Sequence, residues 1–168
     1  GFAGAGPLQL SIFAWALLGF ASVYYGAARR AFDMTVARQP ERTSIALTRS
    51  MAHHPEVQHL VADMRIGLDS SEAMLDRTTG DWATGVQHQD WPVRIIGTRS
   101  FVIDQAFSVV DTALDISGGA GAFRRNRLEL LFRDVRMGRF HPGNTLLAHE
   151  VIGKLCLGID PDDPQRWG

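Results

Sequence analysis

The chain has 168 residues, 45% of them hydrophobic and 21% charged, enough apolar material for one domain with a real core and too much for a disordered tail. Seventeen Lys and Arg stand against eighteen Asp and Glu, a formal net charge of −1. No global field therefore draws the chain to nucleic acid or to an anionic membrane, and any basic site must be local.

Cys156 is the only cysteine, which excludes an intrachain disulfide framework and suits a reducing compartment, the cytoplasm by default. Gly1 stands where an initiating methionine is usual, so a fragment, a processed form or a trimmed chain is expected. Residues 1–28 carry no charge, and 8–28 alone could cross a hydrocarbon core as a helix. Gly6, Pro7, Gln9, Ser11, Gly19, Ser22 and Gly26 interrupt that run, and the rest of the chain reads as amphipathic helices in want of a central partner. A buried core helix is therefore favoured over a span. No basic segment precedes the run, which speaks against a secretory signal.

Pro7 suits the first turn of a helix that continues to about Arg38, where Gln39-Pro40 breaks it. Residues 41–54 mix polar and apolar side chains without a period and read as a partly ordered loop, and Pro55 can open the next helix. Val57, Leu60, Val61, Met64, Leu68, Ser71, Leu75, Thr78 and Trp82 follow at steps of three and four, one helical face. After a linker at 85–90, Ile96, Ser100, Ile103, Phe107, Val110, Leu114 and Ser117 repeat the spacing and stop at Gly118-Gly119. Asn126 and Glu129 have the shape of a capping box and open a fourth helix through Leu131 and Val135. Pro142-Gly143 interrupts it, and Asn144 can cap a resumption from Thr145 to about Leu157. No alternating strand pattern competes, so the fold class is all-α, an antiparallel up-down four-helix bundle with its fourth helix interrupted at Pro142-Gly143.

Three glycines, Gly118, Gly119 and Gly121, directly follow the third helix. They can end it through a left-handed residue or let backbone amides approach a phosphate, and a helix cap is the simpler reading. No strand precedes them, so they are not a Rossmann fingerprint. Arginines 124, 125, 127, 133, 136 and 139 fall within sixteen residues. They are either an anion site or a solvated face paired to Glu129 and Asp134. His53, His54 and His59 lack the carboxylate–histidine spacing of a metal site, and no metal is expected. His149 and Glu150 read as surface, while Trp15, Trp82, Trp91 and Phe107 read as core. His141, the residue before the break, is either a frayed helix end or a group held at a pocket edge.

The stretch GGAGAFRRNRLELLFRDVRMGRFHPGN, residues 118–144, resembles the end of the acyl-CoA dehydrogenase superfamily. In that family a GGxG turn precedes a helix with an Arg-Asp pair and a short loop at the flavin. Gly118, Gly119 and Gly121 match the turn, and Glu129, Arg133 and Asp134 match the helix. VQHLVADM, residues 57–64, is similar to the family's second bundle helix. The resemblance covers nearly the whole chain, but only as the C-terminal helical domain of a larger flavoprotein whose N-terminal helical and middle β domains lie outside residues 1–168.

It implies FAD (or FMN) in the full-length protein, shared between domains and across a subunit interface, with none retained by this segment alone. Arg38 and the turn Gly118, Gly119, Ala120 and Gly121 would approach the cofactor's diphosphate or adenine side. Implied partners are the chain's own N-terminal and middle domains, a second copy in a homodimer or homotetramer, and a small-molecule substrate, acyl-CoA or aromatic. Neither nucleic acid nor membrane is expected. The chain departs from the family at Pro55 and Asp115, where flavin-contacting glutamines are usual, and at Pro142, where many members place a catalytic glutamate.

Proline cannot take a proton, so dehydrogenation would need another base; Glu41, Asp69, Glu72 and Asp76 are candidates without a motif. The superfamily's two-component flavin monooxygenases of aromatic substrates resemble the loop better, having a histidine near this point. His141 is then the expected catalytic residue, acting as acid or base, since imidazole titrates near neutrality. The leading expectation is an acyl-CoA-dehydrogenase-like FAD-dependent oxidoreductase when full length. The alternatives are the monooxygenase and, outside enzymes, a helical association module or a small membrane-anchored bundle.

Overall fold

Pro7, Pro55 and Pro92 each stand in the first turn of a helix, where the missing N–H would have had no intrahelical acceptor. The computed structural model describes residues 6–45, 47–141 and 144–163. Among them five α-helices form and no strand: α1 (Pro7–Arg38), α2 (Pro55–Ala83), α3 (Trp91–Ser117), α4 (Arg127–Met137) and α5 (Thr145–Cys156). Single 3-10 turns cover Met51–His53, Gly118–Ala122 and Gly138–Phe140. The expected interruption at Pro142-Gly143 lies outside the described residues. Asn144 does cap α5, accepting from the Leu147 amide at 3.1 Å.

Two apolar clusters show how the helices lie. One joins Tyr24, Ala28 and Ala31 of α1, Val57, Met64 and Leu68 of α2, Ile103 to Ile116 of α3, and Leu128 and Val135 of α4. The other joins Ala14, Leu17 and Leu18 of α1, Trp82 of α2, Trp91, Ile95 and Ile96 of α3, and Ala148 and Val151 of α5. The early half of α1 thus meets the early half of α3 and the last turn of α2.

The predicted faces of α2 and α3 are the buried ones, but the central helix is α3, not α1. α3 touches all four other helices and buries residues around most of its circumference, including Thr98, Arg99 and Ser100. α1 buries one line, Ala14, Leu17, Leu18, Ala21, Tyr24, Ala28, Ala31 and Thr35. Its opposite side leaves Leu8, Ile12 and Val23 exposed. Trp15, expected in the core, is 79% exposed, because one residue of helix turns it about 100° from the buried Ala14. By length and composition α1 is, among the described residues, the one helix that could cross a membrane.

The capping box at α4 forms only in half. Asn126 accepts from the Leu128 amide at 3.1 Å, whereas the Glu129 carboxylate lies 2.7 Å from the Arg133 guanidinium. The Asn126 amide that Glu129 would cap already donates to the Phe123 carbonyl at 2.7 Å, which leaves the carboxylate to the ion pair one turn on.

Candidate functional site

α1 carries Phe20 and Tyr24 one turn apart, so both rings can meet one incoming chain segment. That segment is the Gly138–Phe140 turn after α4, which delivers His141. The imidazole stacks on Phe20 with centroids 4.6 Å apart and planes 13° from parallel. Its Nε2 lies 2.7 Å from the Tyr24 hydroxyl. Tyr24 is buried and His141 is half-buried, so the ring sits at the edge of the core with its orientation held by a stack and a hydrogen bond. The ring is therefore ordered, and His141 is not a frayed helix end. Burial pushes the Tyr24 phenol above the ordinary tyrosine range, against the opposing pull of the Arg99 charge, so at neutral pH it is an O–H able to donate.

Arg99 of α3 lies behind the pair, 1% exposed. Its Nη2 donates to the Gly138 carbonyl at 3.1 Å, which ties the turn bearing His141 to the central helix. Burial pulls its guanidinium below the usual arginine range, while the charge of Asp104 and then Tyr24 hold it up. Asp104 also faces Arg139 at 3.3 Å. A cavity of about 460 Å³ on the same turn is lined by Asp104, Arg139, Phe140 and residues 144–146.

Gly138 makes the close approach possible: a Cβ there would stand 2.7 Å from Ile103 Cγ2 and 3.3 Å from the Tyr24 ring. Gly138→Ala is expected to cost about 1–3 kcal/mol through overpacking, read as a lowered urea midpoint, because both neighbours are buried and neither can swing into solvent.

The glycine turn is a second place, at the far end of α1. Gly118 has φ +59° and ψ −157° and ends α3, so the helix-cap reading holds for it, in a conformation that glycine enters without strain. Arg42 locks this end: its guanidinium donates to the Ile116 carbonyl and, at 3.1 Å, to that of Ser117. Asn126 Nδ2 donates to the Ala120 carbonyl at 3.0 Å, and Gly121 is packed so that a Cβ would meet Leu114 Cδ2 at 2.9 Å. Gly118, Gly119 and Ala120 remain exposed, as does Arg38 in the last turn of α1. The N–H of Gly118 already donates to the Asp115 carbonyl, so any anion at this end would be met by the exposed guanidinium of Arg38 and the backbone beyond Gly118.

Arg38 and the 118–121 turn are thus brought to one end, while His141 is not with them. Tyr24 and Arg38 are fourteen residues apart on α1, roughly 21 Å of helix. The arginine cluster divides between its two readings: Arg133 pairs with Glu129, Arg136 and Arg139 lie over the Phe107 ring, and Arg124, Arg125 and Arg127 are exposed.

Glu41, Asp69, Glu72 and Asp76, the spare candidate bases, are all exposed, and Asp69 is bound to Arg65 at 2.7 Å. A larger cleft between α1 and α2, about 580 Å³, is lined by Trp15, Leu18, Trp82 and Thr79 among others. It holds no titratable side chain, and its Ser22 and Thr79 hydroxyls donate to the Leu18 and Leu75 carbonyls. Sequence reasoning missed Tyr24, Phe20, Arg99 and Arg42. Arg99 alone left a signal, a charge inside the apolar run from Ile95 to Ile103.

The fold and site define a helical domain with an ordered imidazole held at one edge of the core and an exposed glycine-rich turn at one end. Residues 18–145 match the family described as acyl-CoA dehydrogenase, C-terminal domain, and the chain belongs to that family. Cyclohex-1-ene-1-carbonyl-CoA dehydrogenase of Geobacter metallireducens is 25% identical over 134 residues, 79% of this chain and 34% of that protein. 3-Sulfinopropanoyl-CoA desulfinase of Paraburkholderia xenovorans is 27% identical over 143 residues, 84% of this chain and 35% of that protein. XiaF from Streptomyces sp., solved in complex with FADH2 and glycerol, has the same fold, with TM-score 0.81 at 22% identity over 96% of this chain and 43% of that one. The chain spans about a third of the length of the curated relatives it matches.

Proposed function

We propose that the chain works as the C-terminal helical domain, residues 1–168, of an acyl-CoA-dehydrogenase-like FAD-dependent oxidoreductase of the cytoplasm, completed by an N-terminal helical domain and a middle β domain. The family match over residues 18–145 carries this reading. α1, α2, α3 and the α4–α5 pair serve as the four legs of an antiparallel up-down bundle, the reading that the two shared clusters support. The exposed apolar side of α1, with Leu8, Ile12, Trp15 and Val23, is the surface for the missing domains or for a second copy in a dimer or tetramer.

In this reading Arg38 and the turn Gly118, Gly119, Ala120 and Gly121 hold the cofactor's diphosphate, the guanidinium by charge and the turn through backbone N–H groups. Bound FAD supplies the redox chemistry. The chain's own contribution to chemistry is at His141, which moves a proton to or from the substrate at one ring nitrogen while Phe20 shields the ring face from water. The geometry of His141 favours a second reading of the same site, a two-component flavin monooxygenase of aromatic substrates, because a stacked and hydrogen-bonded imidazole is prepared for acid–base work.

The deciding experiment assays the full-length protein in two arms: acyl-CoA with an electron acceptor, and reduced flavin with oxygen and aromatic substrates. Turnover in the first supports the dehydrogenase, and turnover in the second the monooxygenase. Absence of both, with no flavin absorbance, would leave a helical association module.

A further inference from the structure

We propose that Tyr24 is a positioning residue for His141, its hydroxyl on Nε2 holding the imidazole flat against Phe20 so that Nδ1 is the nitrogen presented to substrate. This rests on the reading of His141 as the acid–base group. Three observations converge on it. The Tyr24 hydroxyl lies 2.7 Å from Nε2, and the Phe20 ring covers one face of the imidazole. Arg99 anchors the same turn through the Gly138 carbonyl, so ring and backbone are held from two helices. An imidazole with one nitrogen occupied has only the other to offer a ligand, which is how a partner decides which ring atom does the chemistry.

A hydroxyl suits the task because its oxygen can accept from Nε2–H in both charge states of the ring. In the neutral ring that acts as a base, Nε2–H donates to the Tyr24 oxygen and Nδ1 carries the free lone pair. In the imidazolium Nε2–H donates to the Tyr24 oxygen, and the Nδ1 proton points away from Tyr24. An acid step moves the Nδ1 proton to a substrate oxygen or carbon and leaves a neutral ring whose Nε2–H still donates to Tyr24. A base step is the reverse, and in either direction one proton leaves one atom and arrives at the other. The Tyr24 contact persists at each stage, so the ring need not move between them.

Tyr24→Phe tests this, because it keeps the aromatic body packed against α3 and Gly138 and removes only the oxygen. In the full-length enzyme kcat should fall about 10- to 100-fold, part of the roughly 10²–10⁴-fold that a whole acid–base group supplies, with KM little changed. In the full-length protein with 15N-labelled histidine, assigned by His141→Gln, the wild-type neutral ring should be mainly the Nε2–H tautomer and the Tyr24→Phe ring a mixture. 3-Fluorotyrosine at position 24 restores the hydroxyl and should restore both readings.

An unchanged tautomer balance in Tyr24→Phe overturns the inference, as does loss of turnover in His141→Ala with wild-type kcat in Tyr24→Phe. Unchanged turnover in His141→Ala defeats the acid–base reading of the site itself, and the tautomer measurement then still decides whether Tyr24 orients the ring.

Discussion

His141→Ala in the full-length protein is expected to lower turnover by about 10²–10⁴-fold, the range a positioned acid or base contributes, while the helical circular dichroism stays at the wild-type level. The fold is expected to survive because His141 is only half-buried and lies in no helix. What it loses is a stack on an exposed phenylalanine and one hydrogen bond to Tyr24. His149, exposed on α5, is the matched control, and its alanine variant should keep full turnover. Steady-state kinetics on both variants, with thermal unfolding alongside, separate chemistry from stability. Undiminished turnover in His141→Ala would remove His141 from the mechanism and return attention to the proposed N-terminal and middle domains.

Arg99→Ala is expected to destabilise the protein by about 3–5 kcal/mol, combining a large cavity with a buried carbonyl left without its donor. Arg99→Met should cost less, about 1–3 kcal/mol, since it fills most of the volume while removing the donor to the Gly138 carbonyl. It also removes a guanidinium whose charged form burial disfavours, and that offsets part of the loss. Urea unfolding of the two variants measures the difference. Equal midpoints for Arg99→Ala and wild type would show that the arginine does not anchor the turn. If it does anchor it, Arg99→Met should also lower turnover while remaining folded, because the backbone that delivers His141 then loses its buried hydrogen bond to α3.

Several features were legible in the sequence because they follow from local rules. Proline in a first turn, the three-and-four spacing of Val57 to Trp82, and the glycines after Ser117 mark helix ends and faces through backbone sterics and the helical period alone. The family resemblance was legible for the same reason, as a motif of fixed spacing from Gly118 to Asp134. Trp15 and the centrality of α3 were not. An apolar helix carries no record of which of its sides another helix will cover, and α1 and α3 are both apolar enough to have taken the middle place. The Glu129 half of the cap failed because the Asn126 amide already donates to the Phe123 carbonyl, a turn contact that helix spacing does not announce, and the carboxylate pairs with Arg133 instead.

What the sequence by itself determined was the all-α class, the helix boundaries to within a few residues, and His141 as the residue in question. Only the tertiary structure decided that His141 meets Phe20 and Tyr24, more than a hundred residues away, over a buried Arg99, and that the Gly118–Gly121 turn lies with Arg38 at the other end of α1. The physical reason is separation in the chain. Helix periodicity and capping act across about one turn, whereas the contact of residue 24 with residue 141 depends on how α1, α3 and α4 pack, and on the missing Cβ of Gly138 that lets the turn come close.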